Sequence, residues 1–483
     1  MMFLFYPLFN VLSIALMVMA FAMLIPLLLL FVGTPVQYQM FIESATLTMI
    51  SALLFKLLGS RHRGRLIQRQ LFLVTAGSWV VTPLYGMIPF LMMEHPLSLA
   101  DAFFECASGF TTTGATVMSG LDKVPHDILL YRSIIQWFGG IGIIAVAIAA
   151  LPSLKTGGMK LFRTESSDWS EKATPRAHHM MSGLLIAYIA VSVLCCLCYW
   201  LAGMDLFNAV NHAMTTISTG GYSTSDASFA QFNSNLLHWI AIVFMLVGCL
   251  PFMLFVQAWH GRSLRMFKDI QIAGLLGVVI GASAVLATDV AWTEHMTPWD
   301  AITLAAFNVT SIVSTTGYIS TDYSLWGNAT HVTFFFLTFI GGCSGSTAGG
   351  VKIFRCQLFF IQLKKQLIKS IHPNSVIATK YGNRMVTEDI MQSCIAYLFL
   401  LMTSLILVTF LLSLTGLDLL TSLTGASTAF MNVGPGLGDV IGPAGNFAPL
   451  TDTAKWLLAV AMILGRLEFI AIVILFTRTF WRG

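Results

Sequence analysis

Long runs of uncharged, apolar residues constrain this chain more than any other feature of its sequence. Four of them cover residues 1–37, 71–93, 183–204 and 390–417. Each exceeds the roughly 20 residues with which a helix spans the hydrocarbon core of a bilayer. Only 10% of the 483 residues are charged and 56% are hydrophobic, a balance that excludes a water-soluble domain of this size. The sequence therefore predicts an all-α integral membrane protein.

Basic residues fall in five segments that alternate with the apolar stretches. The segments are residues 61–69, 155–176, 262–268, 352–384 and 478–482. Since loops rich in lysine and arginine remain in the cytoplasm, we expect these segments inside and the aspartate-bearing loops between them outside. The chain must then cross the membrane twice between successive segments. Together with a hairpin at residues 3–58, this predicts about ten transmembrane helices and two cytoplasmic termini.

The crossings group into an N-terminal hairpin and four units of similar construction. The boundaries that we predict are 1–70 for the hairpin, then 71–180, 181–269, 270–385 and 386–483. In each unit, a shorter piece between two apolar segments has an acidic or polar start, an amphipathic stretch and a final turn of small residues. The turns carry Gly114, Gly221, Gly317 and Gly434, so the pattern recurs about every 100 residues, far longer than a solenoid repeat.

Four such turns at membrane depth predict a re-entrant pore loop in each unit and one pore for cations. Irregular backbone is tolerated there only where protein buries it or where it lines a water-filled cavity. Short helices entering from outside would point their partially negative C-terminal ends at the centre. Glycine lets a turn aim its carbonyls inward, and threonine hydroxyls offer more oxygen ligands. Any one turn alone could be an ordinary outer loop, whereas the fourfold recurrence favours the pore.

The second apolar segment of the third unit is interrupted by glycines between residues 341 and 350, here called the glycine segment. The glycines are Gly341, Gly342, Gly345, Gly349 and Gly350. Such a stretch makes a poor helix, but its overlapping GxxxG spacing would also serve close helix packing. The residues alone leave both interpretations open. Lys352 follows at the predicted cytoplasmic end.

Arg466 lies about halfway along the last apolar segment, where an unpaired charge is costly and usually functional. We expect its guanidinium to face the pore, to interact with the glycine segment and to raise an electrostatic barrier to cations. Glu468, two positions away, would lie on roughly the opposite side of a helix and should not neutralise Arg466 directly. The alternative is a structural ion pair between Arg466 and another span.

Several segments together resemble one known family. They are residues 101–116, 131–143 (YRSIIQWFGGIGI), 341–350 (GGCSGSTAGG), 432–438 (NVGPGLG) and 465–468 (GRLE). Over essentially its whole length the chain resembles the Trk/Ktr/HKT superfamily of potassium transporters, and within it the TrkH/TrkG membrane subunits of the bacterial Trk system. The resemblance implies potassium uptake across the bacterial inner membrane through one pseudo-fourfold pore in each subunit.

The resemblance also implies roles for individual residues. A K⁺-binding selectivity filter would comprise Thr112, Thr113, Gly114, Thr219, Gly220, Gly221, Thr315, Thr316, Gly317, Asn432, Val433 and Gly434. The glycine segment, with Lys352 and Arg466, would form an intramembrane gate. The implied partners are a second copy of the chain and a cytoplasmic TrkA-type regulatory subunit with Rossmann-like domains. NAD or ATP would bind only to that subunit, and this chain would need K⁺ but no organic cofactor.

Two other classes of function compete with the pore. An H⁺- or Na⁺-coupled potassium symporter would hold its substrate at the midplane between inverted repeats, whereas the predicted units run parallel. Coupling of potassium flow to H⁺ or Na⁺ remains open. An enzyme would need a clustered nucleophile, base or metal set, and intramembrane ionisable residues are too few for one. The basic residues of segment 364–384 offer charge to a protein partner or anionic lipid, and we expect no nucleic-acid partner.

Overall fold

The structure is a computed structural model that describes residues 2–60, 67–149, 175–259, 269–382, 384–467 and 472–482. Much of the predicted basic segments 61–69, 155–176 and 262–268, and also Glu468, lies outside the described residues. The α-helices are α1 Met2–Leu24, α2 Tyr38–Gly59, α3 Gln68–Gly86, α4 Ile88–Met92, α5 Leu99–Phe110, α6 His126–Ala149, α7 Pro175–Leu201, α8 Leu206–Ile217, α9 Asn235–Gly248, α10 Phe252–Trp259, α11 Ile270–Thr293, α12 Pro298–Val313, α13 Asn328–Leu337, α14 Ile353–Ile371, α15 Glu388–Ser413, α16 Leu419–Met431, α17 Asp452–Arg466 and α18 Arg478–Arg482. Short 3-10 helices cover Ile25–Val32, Leu121–Lys123, Ser228–Gln231, Tyr323–Trp326 and Ile474–Phe476. Two strands, Lys380–Tyr381 and Arg384–Met385, pair antiparallel as a small hairpin.

The predicted class, an all-α integral membrane protein, is confirmed. Within the described ranges, seven helices are long and apolar enough to cross a membrane, or eight if α9 and α10 form one span. The predicted count of about ten stays a prediction, because the second helix of several units is broken or short. A bend of 90° separates α9 from α10 at the segment containing Pro251. Similarly, α13 ends at Leu337, before the glycine segment, and α17 has only 15 residues.

Four helices of 12 to 16 residues, α5, α8, α12 and α16, are here called the short helices. Each packs against an earlier and a later helix of its own predicted unit: α5 against α3 and α6, α8 against α7 and α9, α12 against α11 and α13, and α16 against α15 and α17. Three of them also contact the second helix of another unit, since α8 packs on α6, α12 on α9 and α5 on α17. The short helices therefore surround a common centre, although the unit boundaries remain a prediction.

Each short helix begins with a side chain that caps its N-terminus. The capping residues are Ser98, Asp205, Thr297 and Asp418, and each accepts a hydrogen bond from the backbone N–H three residues later. A cap of this kind stabilises a helix by about 1 kcal/mol. Hydrogen bonds from the side chain and then the backbone of Thr421 hold the pKa of Asp418 below its ordinary value. The cap of α16 therefore remains an anion at the positive end of the helix dipole.

The aspartates that mark the start of the pattern in the sequence do not all occupy equivalent positions. Asp205 and Asp418 are the caps themselves. Asp101 and Asp300 instead lie three residues inside their helices, where their carboxylates accept hydrogen bonds from the hydroxyls of Ser98 (2.8 Å) and Thr297 (2.7 Å). A pattern that starts at aspartate therefore places the start of α5 and α12 three residues too late. The serine or threonine that caps these two helices carries no charge that would mark the true start.

A buried ion pair joins α5 to α6. Arg132 Nε donates to Glu105 Oε1 at 2.8 Å, and the two side chains are 1% and 0% exposed. The other guanidinium nitrogens donate to the Ser223 carbonyl (3.1 Å) and the Thr116 hydroxyl (3.0 Å). The guanidinium also lies 4.2 Å from the centre of the Tyr222 ring. This network holds the segments that follow α5 and α8 against each other.

Breaking this pair should destabilise the protein far more than breaking an exposed one. We expect Arg132→Ala to cost about 3–5 kcal/mol, because it strands the Glu105 carboxylate in a dry site. The matched control is Lys365→Ala, whose 3.5 Å pair with Glu388 is partly exposed and worth at most about 1 kcal/mol. Thermal unfolding of the purified proteins in detergent measures both. Equal shifts in the two melting temperatures would contradict the structural role of the Arg132–Glu105 pair.

Candidate functional site

The turns that follow α5, α8, α12 and α16 share one backbone conformation. Each contains two left-handed residues, separated by one that is not left-handed. The first left-handed positions are Thr112 (φ 51°), Thr219 (52°), Thr315 (58°) and Asn432 (55°). The second are Gly114 (82°), Gly221 (75°), Gly317 (81°) and Gly434 (109°). We call these the first, second, third and fourth turns.

Hydrogen bonds at the helix ends fix this conformation. In the first turn, Thr112 N–H donates to Gly109 O (2.9 Å) and Thr113 N–H to Ser108 O (2.8 Å). The same two bonds recur at Thr219 and Gly220, at Thr315 and Thr316, and at Asn432 and Val433. This is a Schellman motif, in which the left-handed residue is usually glycine. Threonine or asparagine stands there instead, and strain of about 1–3 kcal/mol at each is typical of functional sites.

The four turns meet one another around a ring. A Cβ added to Gly114 would overlap the Gly220 carbonyl oxygen, one on Gly221 the Thr316 oxygen, and one on Gly317 the Val433 oxygen. A Cβ on Gly434 would lie 2.8 Å from the Thr113 oxygen, which closes the circle. We call the carbonyl oxygens of Thr113, Gly220, Thr316 and Val433 the carbonyl ring. No side chain fits between neighbouring turns at these glycines.

The side chains of the turns are buried and mostly engaged. The Thr113 hydroxyl pairs with the Thr111 hydroxyl at 2.7 Å and accepts from Asn432 Nδ2 at 2.9 Å, which links the fourth turn to the first. Asn432 Nδ2 also donates to Met462 O at 2.9 Å. Within the described residues, Thr112 Oγ1 and Asn432 Oδ1 have no hydrogen-bond partner. Two buried oxygens at the first left-handed positions are thus left unpaired.

The glycine segment is not helical, and it contacts the third turn and the end of α16. Gly349 N–H donates to Thr315 Oγ1 at 2.6 Å, and Gly350 N–H donates to Met431 O at 2.9 Å. Gly341, Gly345 and Gly350 have φ values of 73°, 80° and 76°. The segment therefore contacts the third turn and the C-terminal end of α16 through its own backbone, in a conformation that favours glycine.

Thr347 is the most connected residue of the glycine segment. Its hydroxyl lies 3.0 Å from Ile217 O and 2.9 Å from Gly248 O, so its single hydrogen is donated to one of these carbonyls or shared between them. Thr219 Oγ1, from the second turn, lies 3.2 Å from the same hydroxyl. The side chain thus ties the segment to the C-terminal ends of α8 and α9. Sequence reasoning assigned it no role, because a threonine among glycines and serines carries no distinguishing signal.

Two cationic side chains, those of Arg466 and Lys352, donate hydrogen bonds to carbonyl groups of the glycine segment. Arg466, 5% exposed, donates from Nη2 to Thr347 O at 2.8 Å, which is the contact expected from the sequence. Lys352 Nζ donates to Ala348 O, and the Lys352 backbone is left-handed (φ 76°). Across the described part of the chain, no carboxylate lies within ion-pair distance of Arg466. Within the described residues, its guanidinium bonds to the Thr347 carbonyl, and its Nε has no hydrogen-bond partner.

All twelve residues proposed for the filter thus lie in the four turns, and all seven proposed for the gate lie on or beside the glycine segment. Their roles are not established by position alone. The sequence missed Thr347 and also Gln136, a buried side chain of α6 that contacts the second turn. Gln136 belongs to the segment YRSIIQWFGGIGI, where a polar side chain among apolar residues was the available signal.

Comparison with known proteins covers nearly the whole chain. A family model described as "TrkH: Cation transport protein" matches residues 38–482. The Trk system potassium uptake protein TrkI of Halomonas elongata is 43% identical over 478 residues, which are 99% of this chain and 97% of that protein. The Trk system potassium uptake protein TrkH of Salmonella typhimurium is 38% identical over 430 residues, 87% of this chain and 88% of that protein.

The fold is similar to that of a solved relative. The crystal structure of the potassium transporter TrkH from Vibrio parahaemolyticus matches with a TM-score of 0.91 and 31% sequence identity. The match covers 99% of this chain and 100% of that one. Together with the family model and the sequence relatives, it confirms the resemblance read from the motifs. The chain belongs to the TrkH family of cation transport proteins.

Proposed function

We propose that this protein carries potassium ions into the bacterial cell through a pore whose selectivity filter is the carbonyl ring. Its relatives are named potassium uptake proteins. The observation that carries the proposal is the closed circle of four left-handed turns, each with a carbonyl oxygen against the glycine of its neighbour. Carbonyl oxygens held by the backbone can replace the hydration shell of K⁺.

Electrostatics favour a cation at the centre of this ring. The C-terminal ends of α5, α8, α12 and α16 lead directly into the four turns. Each end carries roughly half a negative elementary charge from the helix dipole. The unpaired oxygens of Thr112 and Asn432 add two more lone-pair donors at the first left-handed positions. Because the four turns differ in sequence, we expect a filter that also passes Rb⁺ and some Na⁺.

The glycine segment is proposed as the gate. In the present conformation it covers the hydroxyls of Thr219 and Thr315, the counterparts of the unpaired oxygens in the other two turns. Arg466 adds a positive charge that opposes cation entry. We propose that a TrkA-type cytoplasmic subunit, which binds the nucleotide, pulls this segment aside.

We also propose that two copies of the chain assemble in the bacterial inner membrane, with the termini of both on the cytoplasmic side.

Serine at a turn glycine should weaken the preference for K⁺. In Gly114→Ser, Gly221→Ser and Gly317→Ser, the new Cβ overlaps a carbonyl oxygen of the ring and must displace it. The matched control is Gly281→Ser in α11, where a Cβ meets nothing within 4 Å. Uptake of ⁸⁶Rb⁺ into liposomes, with K⁺, Na⁺ or choline as competitor, measures the selectivity. Wild-type selectivity in all three turn variants would refute the filter.

Loss of the Thr347 hydroxyl should open the gate more often. Thr347→Val keeps the shape of the side chain but removes the hydrogen bond that its hydroxyl donates to the Ile217 and Gly248 carbonyls. One hydrogen bond of about 1 kcal/mol corresponds to roughly a fivefold shift toward the open state. The control is Thr333→Val, whose hydroxyl donates to Ala329 O within α13. Partner-free ⁸⁶Rb⁺ flux that is equal in both variants and the wild type would argue against this gate.

A further inference from the structure

One side chain behind the carbonyl ring bonds to the ring itself. Gln136, on α6, is fully buried, and its Nε2 donates to the Gly220 carbonyl oxygen at 2.7 Å. Its Oε1 accepts a hydrogen bond from Tyr222 N–H at 3.1 Å. The carboxamide thus bridges the two residues on either side of Gly221. Both polar groups of the side chain are engaged by the backbone of the second turn.

This contact explains why the second turn alone has two consecutive glycines. Gly221 is left-handed (φ 75°), like the glycine of every turn, but Gly220 is not. A Cβ on Gly220 would instead overlap the side-chain carbon atoms of Gln136. The equivalent positions in the other turns hold Thr113, Thr316 and Val433. Glycine at position 220 therefore admits Gln136 to the carbonyl.

The contact also makes the four oxygens of the carbonyl ring differ in their hydrogen bonding. Within the described residues, Gly220 O accepts a hydrogen bond from a side chain, whereas none is found at Thr113 O, Thr316 O or Val433 O. A carbonyl oxygen has two lone pairs, so one remains for a cation. The donor polarises the carbonyl and limits how far its oxygen can swing. One oxygen of four is thus held by a buried amide.

A second side chain on the same face of α6, Arg132, holds the segment to which Gln136 donates. Arg132, one turn earlier, is bound to the Ser223 carbonyl and lies over the Tyr222 ring. Gln136 and Arg132 therefore hold residues 220–223 together, four positions apart on one helix face. The amide cannot shift without disturbing the Arg132 network.

We propose that Gln136 is a specificity-determining positioning residue, which sets the direction and strength of the Gly220 carbonyl and so the discrimination between K⁺ and Na⁺. Sodium is smaller and binds well only if the oxygens of the ring move inward. A carbonyl held by Gln136 resists that movement, so the hydrogen bond penalises Na⁺ more than K⁺. This inference rests on the proposed function of the ring as the filter.

The test compares two variants of Gln136. Gln136→Met has the same length but no donor. Gln136→Glu, assayed at a pH low enough to protonate the new carboxyl, can donate its O–H to Gly220 O and accept from Tyr222 N–H. The control is Ser133→Ala on the same helix, since the Ser133 hydroxyl bonds only to Leu129 O. Reversal potentials of reconstituted protein under opposed K⁺ and Na⁺ gradients give the permeability ratio, and ⁸⁶Rb⁺ flux gives the conducting fraction.

We expect Gln136→Met to raise the Na⁺/K⁺ permeability ratio by about three- to tenfold, the factor that one buried hydrogen bond is worth. Gln136→Glu and Ser133→Ala should keep the wild-type ratio. An unchanged ratio in Gln136→Met, or an equal rise in Gln136→Glu, would overturn the inference. If Gln136→Met does not fold, Gln136→Asn, one methylene too short for the bridge, replaces it with the same two outcomes. A wild-type protein without K⁺ preference would instead refute the proposed filter, and the inference with it.

Discussion

The contact of each turn with the glycine of its neighbour is the constraint on which the rest of the structure depends. Four carbonyl oxygens occupy the space where Cβ atoms would stand at Gly114, Gly221, Gly317 and Gly434. Such a ring needs backbone without regular structure at membrane depth, where polar backbone groups need partners. The Schellman hydrogen bonds pair the N–H groups that enter each turn, and the helix caps and the Arg132–Glu105 pair hold the turns in place.

The glycine segment follows from the same requirement. The last carbonyls of a helix lack partners within it, and those at the ends of α8 and α16 accept hydrogen bonds from the glycine segment. The Thr347 hydroxyl and Gly350 N–H donate to Ile217 O and Met431 O, two of these carbonyls. A helix uses its backbone N–H groups for hydrogen bonds within itself, so a segment that donates them to other elements is not helical. If the segment moves aside as proposed, those carbonyls lose these donors and need water or a passing cation in their place, so the proposed open state would be hydrated.

Sequence reasoning captured the elements that have a simple local signal. Apolar runs gave the membrane class, and the recurring glycines located all four turns. It failed where tertiary contacts override local preference. Threonine rarely adopts the left-handed conformation, so nothing in the sequence marked Thr112, Thr219 or Thr315 as the first left-handed residue. The predicted count of about ten spans stays a prediction, since α9 and α10 meet at 90° and reach the length of a span only together.

Two examples show why the site could be located but not fully described from the sequence. Gly220 and Gly221 are identical in type, yet one is glycine to admit Gln136 and the other to adopt a left-handed backbone. Arg466 could be singled out because a charge in an apolar segment is rare. Its partner, the Thr347 carbonyl, could not, since a backbone acceptor has no signature in the sequence.

The central claim, that the carbonyl ring binds the transported cation, is tested most directly by anomalous scattering from crystals of this protein grown in Rb⁺. The claim predicts an anomalous peak on the axis between the oxygens of Thr113, Gly220, Thr316 and Val433, which K⁺ but not choline displaces. Rubidium bound elsewhere in the membrane region, with none at the ring, would contradict it.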